Sequence, residues 1–462
     1  MVSASEQLAR NMSFGSFAKA KELQQRLLFT MLILVAYRVG TYIPVPGVDL
    51  VAFQELFSGA NGAGGGGFTD RLNMFSGGAV ERMAIFALNV MPYITASIIM
   101  QLMQNSLPKL KELKAEGNQG RKQINQYTRY FTVVLAAFQA YGVAKFIEGS
   151  GAAINPGLFF QVSTVLTLTG GTMFLMWMGE QVTARGVGNG VSLIIFAGIV
   201  AELPKALFQA FNLNRDGSIT GLVLIGILVL FIALSFLIVY VERAQRRLRV
   251  QYPKRQMAGG RSFGGESNYL PLKVNQAGVI PPIFASSLLI LPATLISFQL
   301  GNAQGTADPG IFGTILAYIG YGRPAYLVLY GALIVFFCFF WISQVFKADE
   351  IADNLRKQGG FLPGIRPGKR TEDYINYVMN RLTFIGAFYV AFVCVVPEAV
   401  IAQVGNLPIS VVMLIGGMSL LIIVSVTLDT VSQIQSHLIA HQYQGLINKS
   451  RMRRRAAAKQ NR

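Results

Sequence analysis

Apolar runs of about 20 residues, each long enough to cross a bilayer, recur along this chain and are separated by polar gaps. Lipid gives a backbone no hydrogen-bonding partner, so such runs must close their own hydrogen bonds as helices. Ten spans are predicted, at roughly 24–43, 81–104, 125–146, 157–180, 189–210, 219–241, 273–298, 324–346, 375–397 and 407–433. Composition agrees: 52% of residues are hydrophobic and 13% charged, more apolar surface than a water-soluble domain can hide. The expected class is an all-α polytopic membrane protein.

The 40 lysines and arginines collect in alternate gaps. Lys109, Lys111, Lys114, Arg121 and Lys122 follow the second span, a group from Arg243 to Arg261 follows the sixth, and Lys347 to Arg370 follows the eighth. The tail adds Lys449 to Arg462, whereas the intervening gaps hold little beyond Arg71, Lys145, Lys205, Arg215 and Arg323. The basic side is the cytoplasmic side, which places both termini inside and makes the number of spans even. Ten spans divide into two sets of five, and an odd count per set means that structural repeats here would be inverted. The expected organisation is a cytoplasmic segment 1–23, an N-terminal half 24–210, a C-terminal half 211–433 and a basic cytoplasmic tail 434–462. The net charge of +18 sits beside the spans, where orientation and anionic headgroups account for it without direct reading of nucleic acid. The N-terminus lacks a short apolar core with a cleavage site, so no removable signal peptide is expected.

Several segments break the pattern. Residues 68–80 (FTDRLNMFSGGAV) are too short and polar to cross, yet lead directly into the second span. Two readings fit: a half-helix folded into a protein-shielded cavity, or an amphipathic helix on the outer surface. The glycine-rich stretch 59–67 lacks the lysine and hydroxyl of a phosphate loop and reads as a linker. Gaps 242–272 and 347–373 are long, basic and rich in turn formers. They suit a platform for a soluble partner, although solvated loops that set topology would carry the same charges.

No catalytic constellation is present, and the chain is not read as an enzyme. His437 and His441 have helical spacing but no third ligand, and 364–370 (GIRPGKR) lacks the hydroxyl a Walker loop uses for magnesium. Cys338 and Cys394 are isolated in apolar runs and read as small buried hydrophobes. No metal and no cofactor is expected. Arg38, Glu81, Arg82, Glu180 and Asp429 lie near span ends and read as boundary or structural ion-pair residues rather than a proton relay. Mid-span, Asn89, Thr95, Ser97 and Gln101 interleave with Val90, Ile94 and Ile98, and Asn189, Gly190 and Ser192 precede Ile194 and Ile195. Polar groups of this kind are costly against lipid, so these faces meet other helices or water, as a pore wall does.

The runs YIPVPG (42–47), NMFSGG (73–78), VMPYITASIIMQ (90–101), GVGNGVSLII (186–195), LPLKVNQAGVIPPIFASS (270–287), FLPGIRPG (361–368) and VMNRL (378–382) resemble, in order and over nearly the whole chain, the SecY family of bacterial protein-translocation channels. The resemblance implies ten helices in two inverted five-helix halves around a central hourglass pore with a re-entrant plug half-helix. It implies a channel that passes unfolded secretory polypeptides across the inner (plasma) membrane and releases hydrophobic segments sideways into lipid. The alternative is an inverted-repeat secondary transporter for a small solute, which needs coupling carboxylates at mid-membrane.

By the same resemblance, a ring of Val90, Ile94, Val191, Ile195, Ile283 and Ile422 would close the pore: a narrow apolar constriction dewets and resists ions, yet reseals around a chain of any sequence. The plug would comprise Asn73, Met74, Phe75, Ser76, Gly77 and Gly78. The second and seventh spans would form a lateral gate through Ile98, Gln101, Asn275 and Ser287, with Gln101 and Asn275 in polar contact across it. Arg246, Arg247, Lys254, Arg255 and Arg366 would dock the SecA motor or the ribosome, the latter through salt-sensitive contacts to ribosomal RNA phosphates. SecE and SecG subunits, signal sequences, nascent chains and membrane lipids are the other implied partners.

Overall fold

The computed structural model describes residues 21–58, 73, 75–217, 220–252, 255–256, 262–263, 267–289, 324–404 and 416–460. It is built mainly of helices. In chain order these are α1 (Lys21–Gly40), α2 (Leu50–Ser58), α3 (Met91–Ser106), α4 (Pro108–Ala115), α5 (Asn118–Gly149), α6 (Leu158–Arg185), α7 (Gly190–Arg215), α8 (Gly221–Arg243), α9 (Ile280–Leu289), α10 (Pro324–Val345), α11 (Ala348–Lys357), α12 (Lys369–Val404) and α13 (Gly417–Gln460). Among the described residues, seven helices are long and apolar enough to cross a membrane: α5, α6, α7, α8, α10 with its continuation to Lys357, α12 and α13. The other three predicted spans coincide with α1, α3 and α9, of which α3 has 16 residues and α9 is a shorter apolar helix.

The buried stripes of these helices are narrow and regular. Thr128, Thr132, Ala136, Ala140 and Ala144 on α5 are buried at every fourth position, as are Phe160, Thr164, Leu168, Thr172 and Met176 on α6. Small residues at this spacing let two backbones approach closely, which is how helices associate where no hydrophobic effect drives them together. Tyr326, Tyr330, Ile334, Cys338 and Ile342 repeat the pattern on α10, so Cys338 is packing material, and Cys394 is buried likewise. In contrast, α8 is apolar all round with only Leu224, Ile227, Leu234 and Ile238 buried, as suits a helix mostly facing lipid.

Contacts follow one scheme twice. In the N-terminal part α5 packs on α6, α6 on α7, and α1 on both α6 and α7; in the C-terminal part α10 packs on α12, α12 on α13, and α8 on both α12 and α13. The two sets meet where α7 contacts α8 and α13 and where α1 contacts α13.

Two expectations are corrected. The second span was expected from residue 81, but its helix begins only at Met91; residues 79–90 form turns, with Met83 and Asn89 at φ 42° and 50°. Pro92 explains the late start: it suits the first turn of a helix but would break an interior one. The chain is also not all-α. After α8 it forms β1 (Gln245–Gln251), β2 (Arg255–Gln256), β3 (Ser262–Phe263) and β4 (Ser267–Lys273), with β1 antiparallel to β4 and β2 to β3. In the first pair Arg246 faces Leu272, Leu248 faces Leu270 and Arg249 faces Tyr269. Leu248 and Val250 turn inward while Arg247 and Arg249 point out, the period-two alternation of a half-buried ribbon.

Candidate pore, plug seat and cytoplasmic platform

All six apolar residues expected to form a ring belong to one hydrophobic cluster. Val90, Ile195 and Ile422 are buried in it, while Ile94, Val191 and Ile283 are half-buried against it. Local structure fixes each of them. Val90 is the last residue before α3, its N–H held at 2.8 Å by the Asn89 carboxamide, and Ile94 lies one turn on. Val191 and Ile195 occupy the first turns of α7, whose N-terminus is capped by the Asn189 side chain accepting from Val191 and Ser192. Ile283 comes from α9 and Ile422 from α13. Four elements from both parts of the chain thus contribute branched apolar side chains to this cluster, which runs through much of the bundle.

The NMFSGG segment lies against this cluster. Phe75 and Ser76 are buried, 1% and 0% exposed, and Gly77 and Gly78 turn the chain at φ 66° and 80°, a conformation that glycine alone adopts at little cost. Asn73 is half-buried and ties the segment's two ends together, its side-chain amide oxygen accepting from the Glu81 N–H at 2.9 Å. Met74 lies outside the described residues. Residues 75–78 are packed into the bundle as a turn, whereas residues 68–72 lie outside the described residues.

Charge surrounds this turn in compensated form. Arg38 donates to the Gly77 carbonyl at 2.6 Å and lies 3.8 Å from Glu202; Arg82 reaches the same Glu202 oxygen at 3.3 Å. Lys205 pairs with Glu81 at 2.8 Å. Elsewhere Arg129 holds Glu180 through two hydrogen bonds, at 3.1 and 2.6 Å, and Lys273 lies 3.6 Å from Asp429. Every ionisable residue read as an ion-pair member is therefore in one. Glu202 itself, 7% exposed, was missed by sequence reasoning. Its signal was available: a carboxylate inside the apolar run IVAEL needs a cation.

The residues expected at a lateral gate are placed differently from their predicted pairing. Gln101 donates to Ser97 on its own helix at 3.3 Å. Asn275, 4% exposed, donates to Glu242 at 2.7 Å and closes a local turn with Gly278. No hydrogen bond joins Gln101 to Asn275, so the expected cross-gate contact is replaced by one between the end of α8 and the start of the α9 segment. Glu242 is the second carboxylate the sequence reading passed over. Ile98 and Ser287 are half-buried, and the Ser287 hydroxyl donates to the Ile283 carbonyl at 2.8 Å.

On the basic side, Arg246 and Arg247 are exposed on β1 and Arg366 is exposed in the turn before α12. Arg255 opens β2 opposite Phe263; Lys254 lies outside the described residues. The two long gaps join: Gln251 and Phe361 exchange backbone hydrogen bonds at 2.9 and 3.0 Å, while Leu248, Val250, Leu272 and Leu362 are buried together in the large cluster. They form one folded unit rather than two separate loops.

Among the described residues no group of three His, Cys, Asp or Glu side chains could hold a metal. The SecY family profile matches residues 84–431. The protein translocase subunit SecY of Rickettsia conorii is 46% identical over 437 residues, covering 94% of this chain and 97% of the relative. That of Escherichia coli K12 is 46% identical over 436 residues, covering 94% and 95%. A solved structure described as a protein-conducting channel superposes with a TM-score of 0.63 at 19% identity, covering 89% of this chain and 92% of the other. Sec61 in the canine ribosome-channel complex gives 0.60 at 19% identity over the same shares. The fold, the apolar cluster and these relatives lead to one assignment: the chain belongs to the SecY family, the non-enzymatic, protein-conducting channel subunits of the protein translocase.

Proposed function

We propose that this channel subunit closes its pore at the ring Val90, Ile94, Val191, Ile195, Ile283 and Ile422, with the segment Asn73–Gly78 as a plug on the outer side. The observation that supports the reading is that all six side chains, and Phe75, belong to the large apolar core to which both parts of the chain contribute. Apolar walls without charge resist ions when narrow and offer an unfolded chain no fixed partner as it passes. A small-solute transporter is set aside by the family, and Glu202 and Glu242 in the bundle already have partners.

The recurrence of one contact scheme in α1, α5, α6, α7 and in α8, α10, α12, α13 supports ten helices in two inverted five-helix halves, with α3 and α9 as the equivalent second members. Those two elements are the proposed lateral gate, carrying Ile98 and Gln101 on one side and Asn275 and Ser287 on the other. The basic unit formed by β1, β4 and the turn around Arg366 is the proposed docking platform for the SecA motor or the ribosome, with Arg246, Arg247, Lys254, Arg255 and Arg366 meeting acidic side chains or rRNA phosphates. SecE and SecG complete the proposed assembly, in the bacterial inner membrane with both termini cytoplasmic.

A photo-crosslinking amino acid at Val191 or Ile283 tests the pore. In an active translocase it should capture an arrested secretory chain. Capture at lipid-facing Phe236 but not at these positions would show that the chain passes elsewhere.

A further inference from the structure

The plug turn is held by its backbone. Three successive carbonyls, those of Phe75, Ser76 and Gly77, accept from side chains of the surrounding bundle: the Asn89 amide, the Tyr37 hydroxyl at 3.1 Å and the Arg38 guanidinium at 2.6 Å, with Arg82 also reaching the Gly77 carbonyl at 3.3 Å. Opposite them α7 contributes a gap. A Cβ at Gly198 would lie 2.6 Å from the Phe75 carbonyl oxygen and 2.9 Å from the Tyr37 hydroxyl, so only a residue without a side chain lets the main chain lie there. Three donors facing a bare stretch of helix recognise peptide carbonyls and ignore what side chains accompany them.

Departure of the plug has a consequence for these groups. Tyr37 and Asn89 are 0% and 2% exposed, and buried donors stripped of their acceptors are costly. Asn89 immediately precedes Val90, and Gly198 lies just beyond Ile195 on α7, so a chain emerging from the ring passes beside the vacated donors. The substrates of such a channel share no side-chain sequence. What they do share is the backbone.

We propose that the plug seat is a sequence-independent site for the extended substrate backbone, with Tyr37, Asn89 and Arg38 transferring from plug carbonyls to substrate carbonyls as the plug leaves. The proposal rests on the reading of the chain as a conduit with a displaceable plug. An extended chain presents carbonyls to one side about every 7 Å, so each donor loses one partner and gains another as the chain advances. The exchange retains the chain without stopping it.

The test uses the complete translocase in proteoliposomes, with an arrested preprotein whose backsliding is followed by protease protection after ATP is withdrawn. Deleting residues 68–78 removes the plug from the comparison, and Tyr37→Phe with Asn89→Asp then removes two donors while keeping ring, size and the left-handed backbone at position 89. Backsliding at least about threefold faster than in the plug-deleted parent, for two preproteins of unrelated sequence, is the expected result. Unchanged backsliding for both would overturn the proposal, since the donors would then serve the plug alone. A benzophenone amino acid in place of Tyr37 gives an independent readout: it should capture the arrested chain wherever along its length the arrest is set, and absence of capture overturns the proposal even where the double variant assembles poorly. Resting ion conductance of the plug-deleted channel reports on the plug separately, and a value equal to that of the intact channel would overturn the underlying plug reading.

Discussion

Glu202 shows how much a single side chain can organise. It stands alone in an apolar stretch of α7, and Arg38 and Arg82 converge on one of its oxygens beside the Phe75–Gly78 turn. Need for a cation was legible in the residue's surroundings; which cation was not, because both partners lie far away in sequence and only helix packing brings them in. Glu202→Gln is expected to leave the two guanidiniums uncompensated, lowering stability by about 1–3 kcal/mol and loosening Arg38 from the Gly77 carbonyl. A thermal melt in detergent together with resting conductance checks this, and unchanged values of both would show that solvent already screens the pair. Asn275 teaches the complementary lesson. Its burial and polarity were foreseeable, but its partner is Glu242 because β1 and β4 leave the end of α8 and return beside it, with Val274 donating to the Ala244 carbonyl at 3.1 Å.

At the scale of elements, helices were far more legible than the ribbon. Membrane helices announce themselves by length and hydropathy, which are local properties, and the fourfold spacing of buried residues on α5, α6 and α10 follows from close helix packing. The first strand carries Arg246, Arg247 and Arg249 and buries only Leu248 and Val250, too few apolar residues to signal a sheet against a basic background. Their partner is again remote: Phe361, beyond α10 and α11, closes the unit on Gln251. Phe361→Pro removes the N–H that donates to Gln251 and is expected to uncouple the turn bearing Arg366 from the ribbon. If the two segments dock a partner as one surface, affinity for the motor or ribosome should fall roughly tenfold, the equivalent of one or two lost contacts. Affinity equal to the parent in a flotation assay would mean that the segments bind independently.

For the molecule as a whole, the proposed ring draws on both parts of the chain, with Val90, Ile94, Val191 and Ile195 from one and Ile283 and Ile422 from the other, all in the large apolar core. Ile422→Asn or Ile94→Asn wets that junction and is expected to raise ion leak and to admit preproteins with weakened signal sequences. Conductance and secretion measured across several such variants test it, and values like the parent's throughout would move the constriction elsewhere. What the sequence determined by itself is membrane residence and the family, because hydropathy, span length and distributed motifs are written along the chain. Tertiary structure alone decided which donors hold the Phe75–Gly77 carbonyls, which cations neutralise Glu202, where Asn275 finds its partner and that two basic segments fold as one. Each of those depends on satisfying a buried polar group, and the groups that do so are separated by tens to hundreds of residues and meet only when the helices pack.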